Sequence, residues 1–139
     1  MAVSKPVDND VYVDEPWLLM RWDRVHRCIH SEWKGFANSL EFRAAVMKGV
    51  QAIRERHATG YLTDTRKVKV IVHEDQKWAN EVAAPLMVEA GLKRMAVVIA
   101  QQGLGKLTVE ETLRMVDNQG LLVRTFQSVP EAMTRAGEV

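Results

Sequence analysis

The chain carries one cysteine, Cys28, so an internal disulfide is excluded, which fits a reducing compartment. No segment approaches the ~20 consecutive apolar residues of a membrane span. The opening stretch, Met-Ala-Val-Ser-Lys-Pro-Val-Asp-Asn-Asp, lacks the apolar centre of a signal peptide. Lys and Arg never run beyond two in a row, and 19 basic side chains stand against 18 acidic ones, a net charge of +1. Neutralising phosphates needs a basic face, so this balance argues against nucleic acid as the main partner. Repeats and low-complexity tracts are missing too. These absences lead to the expectation of a soluble, cytoplasmic protein with no nucleic-acid partner and no membrane span.

What is present is an ordinary globular composition, 47% hydrophobic and 27% charged over 139 residues. A domain of that size buries roughly two-thirds of its unfolded surface around one core. Residues 1–10, polar and carrying Pro6, are expected to form a flexible N-terminal tail, and residues 11–139 one domain. Trp17 to Trp22 and Arg27 to Trp33 read as two strands joined by a tight turn through Asp23, Arg24, Val25 and His26.

Helices then alternate with strands. Asn38 with Glu41 three places on is a capping box, and Leu40, Phe42, Val46, Val50 and Ile53 recur near the helical period as far as about Arg56. A second helix is expected from about Glu74 to Ala90, burying Trp78, Val82 and Leu86, with a kink at Pro85 and a stop at Gly91. A third should start at Thr108 with Glu111 as its capping acid and Val109, Leu113 and Val116 on one face; Gly120 follows its end. A fourth starts at Ser128 with Pro130 in its first turn. Strands are expected at Tyr61 to Asp64, Arg94 to Ala100 and Leu121 to Phe126, the middle one apolar without alternation, as in a parallel sheet covered on both faces. The order specifies an α/β fold with a mixed, largely parallel sheet of about five strands and four helices.

That order, together with Glu32-Trp-Lys-Gly-Phe36, Glu41-Phe-Arg43, Asp64-Thr-Arg66, Glu74-Asp-Gln-Lys-Trp78, Ala90-Gly-Leu-Lys-Arg94 and Ser128-Val-Pro-Glu-Ala132, resembles the small SpoIIAA-like domains of the sulfate-transporter/anti-sigma-antagonist (STAS) and SEC14 type, over residues from about 11 to 136. The resemblance implies a non-enzymatic regulatory module without cofactors. In such anti-sigma-factor antagonists a strand ends in Asp, and a phosphorylatable Ser at the next helix start governs binding to a protein partner. Here that segment offers His73, Glu74, Asp75 and Gln76 and no Ser. The resemblance therefore implies a protein-binding face made of Asp64, Thr65, Arg66, Glu74, Asp75, Gln76 and Trp78, with the usual switch missing. Of the nearby hydroxyls, Thr63 and Thr65, only one is expected to face the crevice, and Thr65 is the better placed. A phosphate there would sit beside Asp64 and repel it, which opposes a switch. The SEC14 side of the resemblance implies instead a carrier or sensor of a small apolar, lipid-like ligand held between sheet and helices. A homodimer is left open.

Other chemistry is weaker. His26, Cys28 and His30 alternate, but in a strand the two histidines would lie about 13 Å apart, too far to share a zinc ion. Gly103-Leu-Gly105-Lys106 lacks the earlier Gly and the following Ser or Thr of a phosphate-binding loop, Ala100 and Leu107 standing there, and reads as a flexible connection. Asp64, Glu74 and Asp75 have no nucleophile or His at a recognisable spacing, and capping explains the last two. Neither a metal nor a catalytic residue is expected.

Overall fold

The computed structural model describes residues 10–115 and 120–137. Six strands form one sheet in the order β1 (Val11–Glu15), β2 (Leu18–Asp23), β3 (Cys28–Trp33), β4 (Gly60–Asp64), β5 (Arg94–Val98) and β6 (Leu122–Phe126). The β1–β2 and β2–β3 pairs are antiparallel, and the pairs from β3 to β6 are parallel. The helices are α1 (Ser39–Arg56), α2 (His73–Trp78) running through a π-helical turn (Ala79–Ala83) into α3 (Ala84–Glu89), α4 (Leu104–Met115) and α5 (Val129–Ala136). Because α2, the π turn and α3 are continuous, the helical units number four. The α/β class and the largely parallel sheet agree with the sequence; the strand count is six, not five.

The additional strand is β1, which holds its place by pairing with β2 rather than by any strong local pattern. Asp10 is 3% exposed, with Arg24 at 2.6 Å and Arg56 at 3.2 Å from its carboxylate. The rest of the expected tail, residues 1–9, lies outside the described residues, as does Val116.

Register divides the side chains cleanly between two faces. Ile29, Tyr61, Met95 and Val123 lie side by side across β3 to β6 and point to one face, while His30, Leu62, Ala96 and Arg124 point to the other. The first face packs with Val50, Ile53 and Met87 of the crossover helices, and further along with Val109 of α4. The second packs its Cys28, Leu62, Ala96 and Val98 against Ala132, Met133 and Ala136 of α5. Gly60 permits that close docking: a Cβ there would stand 1.8 Å from the Ala136 carbonyl oxygen.

Both expected caps are formed. The Asn38 side chain accepts from the Glu41 amide while the Glu41 carboxylate accepts from the Asn38 amide, and Ser128 accepts from the Glu131 amide ahead of α5. Three local expectations are corrected. Leu40 is 83% exposed; at about 100° per residue it lies roughly 160° around the helix from Phe42, off the buried stripe. Val82 is exposed, and Ala83 and Met87 are buried in its place. Pro85 has no amide to offer the Glu81 carbonyl, and the chain takes i→i+5 bonding instead, Ala84 donating to the Ala79 carbonyl. One extra residue in that turn shifts the inward stripe from 78, 82 and 86 to 78, 83 and 87. Finally, α4 starts at Leu104, after Gly103 at φ +102°, so Gly105 and Lys106 are helical and Thr108 is no cap.

Candidate functional site

On the face covered by α1, α2, α3 and α4, side chains do not fill the space between helices and sheet. A cavity of about 810 Å³ remains. Its floor is Met20, Tyr61, Thr63, Met95, Val97 and Val123 of the strands. Phe42 and Val46 of α1 form one wall, Ala79, Ala83, Ala84 and Met87 a second, and Val109, Thr112 and Leu113 of α4 a third. The π turn is what makes the second wall thin: it turns alanines inward where a regular helix would present larger residues.

The cavity opens at the carboxyl ends of β3 and β4, between the segment from Trp33 to Ser39 and the strap from Thr65 to Val72. That end of a parallel sheet is where ligands of open α/β folds bind. The strap is fixed at defined points. Its Val68 and Ile71 turn inward onto Val97 and Val109. The Gln76 amide donates to the Ile71 carbonyl at 2.8 Å, and Thr108 Oγ1 accepts from the Ile71 amide at 3.1 Å. Gly105 lets α4 press against it, since a Cβ there would meet the Val68 carbonyl oxygen at 2.0 Å. Lys67, Lys69, Val70 and Val72 stand exposed along the cavity's rim.

The hydroxyls and the Asp75 carboxylate of the walls are engaged within the protein, while Lys34, Lys67 and Lys69 stand along the lining. Tyr61 Oη lies 2.7 Å from Ser31 Oγ, and burial pushes its phenol up to about 12, so it stays neutral. The Trp33 indole donates to Thr63 at 3.2 Å, Thr65 donates to the Val98 carbonyl at 2.8 Å, and Thr112 donates to the Thr108 carbonyl at 2.8 Å. Asp75 accepts from Ser39 at 2.8 Å and from Arg43 Nε at 2.9 Å. Water in this space would find few free partners. The volume lies within the ~300–1,000 Å³ of small-molecule sites.

The residues proposed from sequence as one binding face divide into separate groups. Thr65, Arg66 and Asp75 border the cavity. Asp64 shares its strand face with Leu62, on the α5 side, and is clasped by Arg66 at 2.9 and 2.7 Å. Gln76 is buried against the strap, and Glu74 is exposed. Trp78 packs on α1, its ring 6.3 Å from Phe42 and 5.3 Å from the Arg43 guanidinium. Thr63 in β4 and Thr65 just past its end both border the cavity, whereas only one was expected to face the crevice. Thr65 is 8% exposed with its hydroxyl committed.

His26 lies in the β2–β3 turn, its ring 3.3 Å from Asp23, while Cys28 is buried beside Met133, its thiol pushed up to about 12 by burial. Sequence reasoning missed the strap and the alanine wall. Their signals were the alternation Lys67-Val68-Lys69-Val70 and the small residues at 79, 83 and 84 just before Pro85. Comparison with protein-family models, with curated proteins and with solved structures finds no match for this chain, so the STAS-type resemblance stands on its quoted motifs alone.

Proposed function

We propose that this protein is a non-enzymatic carrier or sensor of a small apolar, lipid-like ligand. The observation that carries the reading is the 810 Å³ cavity at the carboxyl edge of the sheet, with apolar walls whose hydroxyls and carboxylate already have protein partners. Such a surface offers burial and little hydrogen bonding, so it selects for shape and apolarity. An enzyme needs reactive groups converging on one point, and the wall residues do not supply them. The protein-binding face of Asp64, Thr65, Arg66, Glu74, Asp75, Gln76 and Trp78 has less behind it, because Asp64, Thr65, Asp75 and Gln76 are buried.

Native mass spectrometry of freshly purified protein tests the proposal, together with uptake of an anilinonaphthalenesulfonate dye. Wild type should carry a small molecule or enhance the dye's fluorescence at one site, and Ala79→Phe, which places a ring in the cavity, should weaken both while keeping the fold. A bare protein that leaves the dye dark would refute ligand carriage.

A further inference from the structure

At the amino ends of β4 and β5, the opposite end of the sheet from the mouth of the large cavity, lies a second pocket of about 380 Å³. Its walls include His26 and Arg27 of the β2–β3 turn, His57 at the end of α1, Thr59 ahead of β4, Arg94 at the start of β5 and Gly137 at the end of α5. Gly137 lets α5 close on the turn, since a Cβ there would stand 2.8 Å from the His26 carbonyl oxygen. Two arginines and two histidines line the pocket, and no carboxylate among the described residues does. The acid that contacts this group, Asp23, is engaged by the His26 amide at 2.8 Å and by Arg21 at 3.8 Å. Arg94 Nη2 donates to Thr59 Oγ1 at 3.1 Å and to the Ala136 carbonyl at 3.0 Å, but its Nε is buried with no partner. Arg27 lies over the Trp22 ring at 5.7 Å, and neither arginine is in an ion pair among the described residues. Both non-glycine residues with positive φ among the described residues, Arg27 at +54° and His57 at +52°, line this one pocket. Such backbone is uncommon away from glycine and concentrates where ligands are held.

We propose that this pocket binds a phosphate group, free or at the end of a small molecule. Guanidinium forks match phosphate oxygens with charge-assisted hydrogen bonds, and two arginines without acidic partners offset the roughly two negative charges of a phosphate monoester. His57 adds an imidazole donor from the end of α1. The helix ends do not compete for these cations, because their carbonyls already accept within the protein: that of Ile53 from the Ala58 amide and that of Met133 from the Gly137 amide. The volume exceeds what a phosphate alone fills and lies within the range of small-molecule sites, and Trp22 and Val25 give it an apolar wall for an organic remainder. The site is separate from the apolar cavity and does not depend on ligand carriage.

Titration of isotope-labelled protein with inorganic phosphate and with phenyl phosphate, followed by NMR at constant ionic strength, tests the proposal. Amide shifts should saturate and centre on Arg27, His57, Thr59 and Arg94. Tighter binding of phenyl phosphate assigns the site to an organic phosphomonoester; equal or tighter binding of inorganic phosphate assigns it to the free anion. Arg27→Asn removes the guanidinium while keeping a residue that tolerates left-handed backbone, and it should weaken binding about 10-fold. His57→Asn, conservative in the same way, should weaken it less. Arg27 and His57 are both exposed, so thermal midpoints should stay at the wild-type value. No saturable shift, the same shifts from sodium chloride, shifts centred instead on Lys34, Lys67 and Lys69 at the large cavity, or affinity unchanged in Arg27→Asn would each overturn the proposal.

Discussion

On the α5 side of the sheet, Ala132 and Ala136 are fully buried and bring their helix against Gly60, Leu62, Ala96 and Val98. On the opposite side, Ala79, Ala83 and Ala84 border 810 Å³ of space. The same residue type thus serves opposite ends. An alanine closes a gap when the partner backbone can move up to it. It opens one when the helix is held away by other contacts. Here α1 is anchored at its far end, where Arg56 reaches Asp10 and its guanidinium lies over the Tyr12 and Trp22 rings, and α4 is braced by the strap. The later half of α1 packs on the sheet through Val50 and Ile53, and the space opens toward its other end, at Phe42 and Val46.

The sharpest probe of this contrast is truncation. Leu62→Ala on the closed face should cost about 4 kcal/mol, because a fully buried side chain leaves a void its neighbours cannot fill. Phe42→Ala on the open face should cost about half of that, since its ring is partly exposed and already borders space. Urea midpoints that fall equally would break the comparison.

Adding volume should damage the two faces in the same order. Ala132→Phe should destabilise by about 2–3 kcal/mol through overpacking, whereas Ala79→Phe should change stability by less than about 1 kcal/mol. Calorimetry on the two variants measures this directly, and a folded, unperturbed Ala132→Phe would mean that the closed face is no better packed than the open one.

The smallest effect concerns the anchored end. Arg24 donates to the Asp10 carboxylate at 2.6 Å and, against the opposing cost of burial, holds its pKa below the ordinary 3.8, with Arg56 assisting. A depressed folded pKa contributes stability above the unfolded value, and that contribution disappears as pH falls from about 4 toward the folded pKa. Acid should therefore loosen α1's last turn first. In hydrogen exchange, protection near Arg56 should fall below about pH 4 while protection in β4 and α5 persists, and Asp10→Asn should flatten the pH dependence. Simultaneous loss in both places would mean the two faces unfold as one unit.

Much of the fold was legible because its signals are local. The Asn38 and Glu41 capping box, the Ser128 cap with Pro130, and the unalternating apolar run of β5 are each decided by residues within a few positions of one another. The site was legible only in part. Thr65, Arg66 and Asp75 do border the cavity, yet Asp64 faces the other side and Trp78 leans on α1. β1 escaped notice because its stability lies in pairing with β2, and Val82 was misassigned because Pro85 changes the bonding of the turn before it.

By itself, then, the amino-acid sequence determined where most of the helices and strands form and that the sheet is mostly parallel. Tertiary structure alone decided that one face closes and the other stays open. A residue that lines a space and one that fills it can be equally apolar and recur with the same period. What distinguishes them is how near the opposing backbone comes, and that distance is set by caps, straps and ion pairs joining residues far apart along the chain.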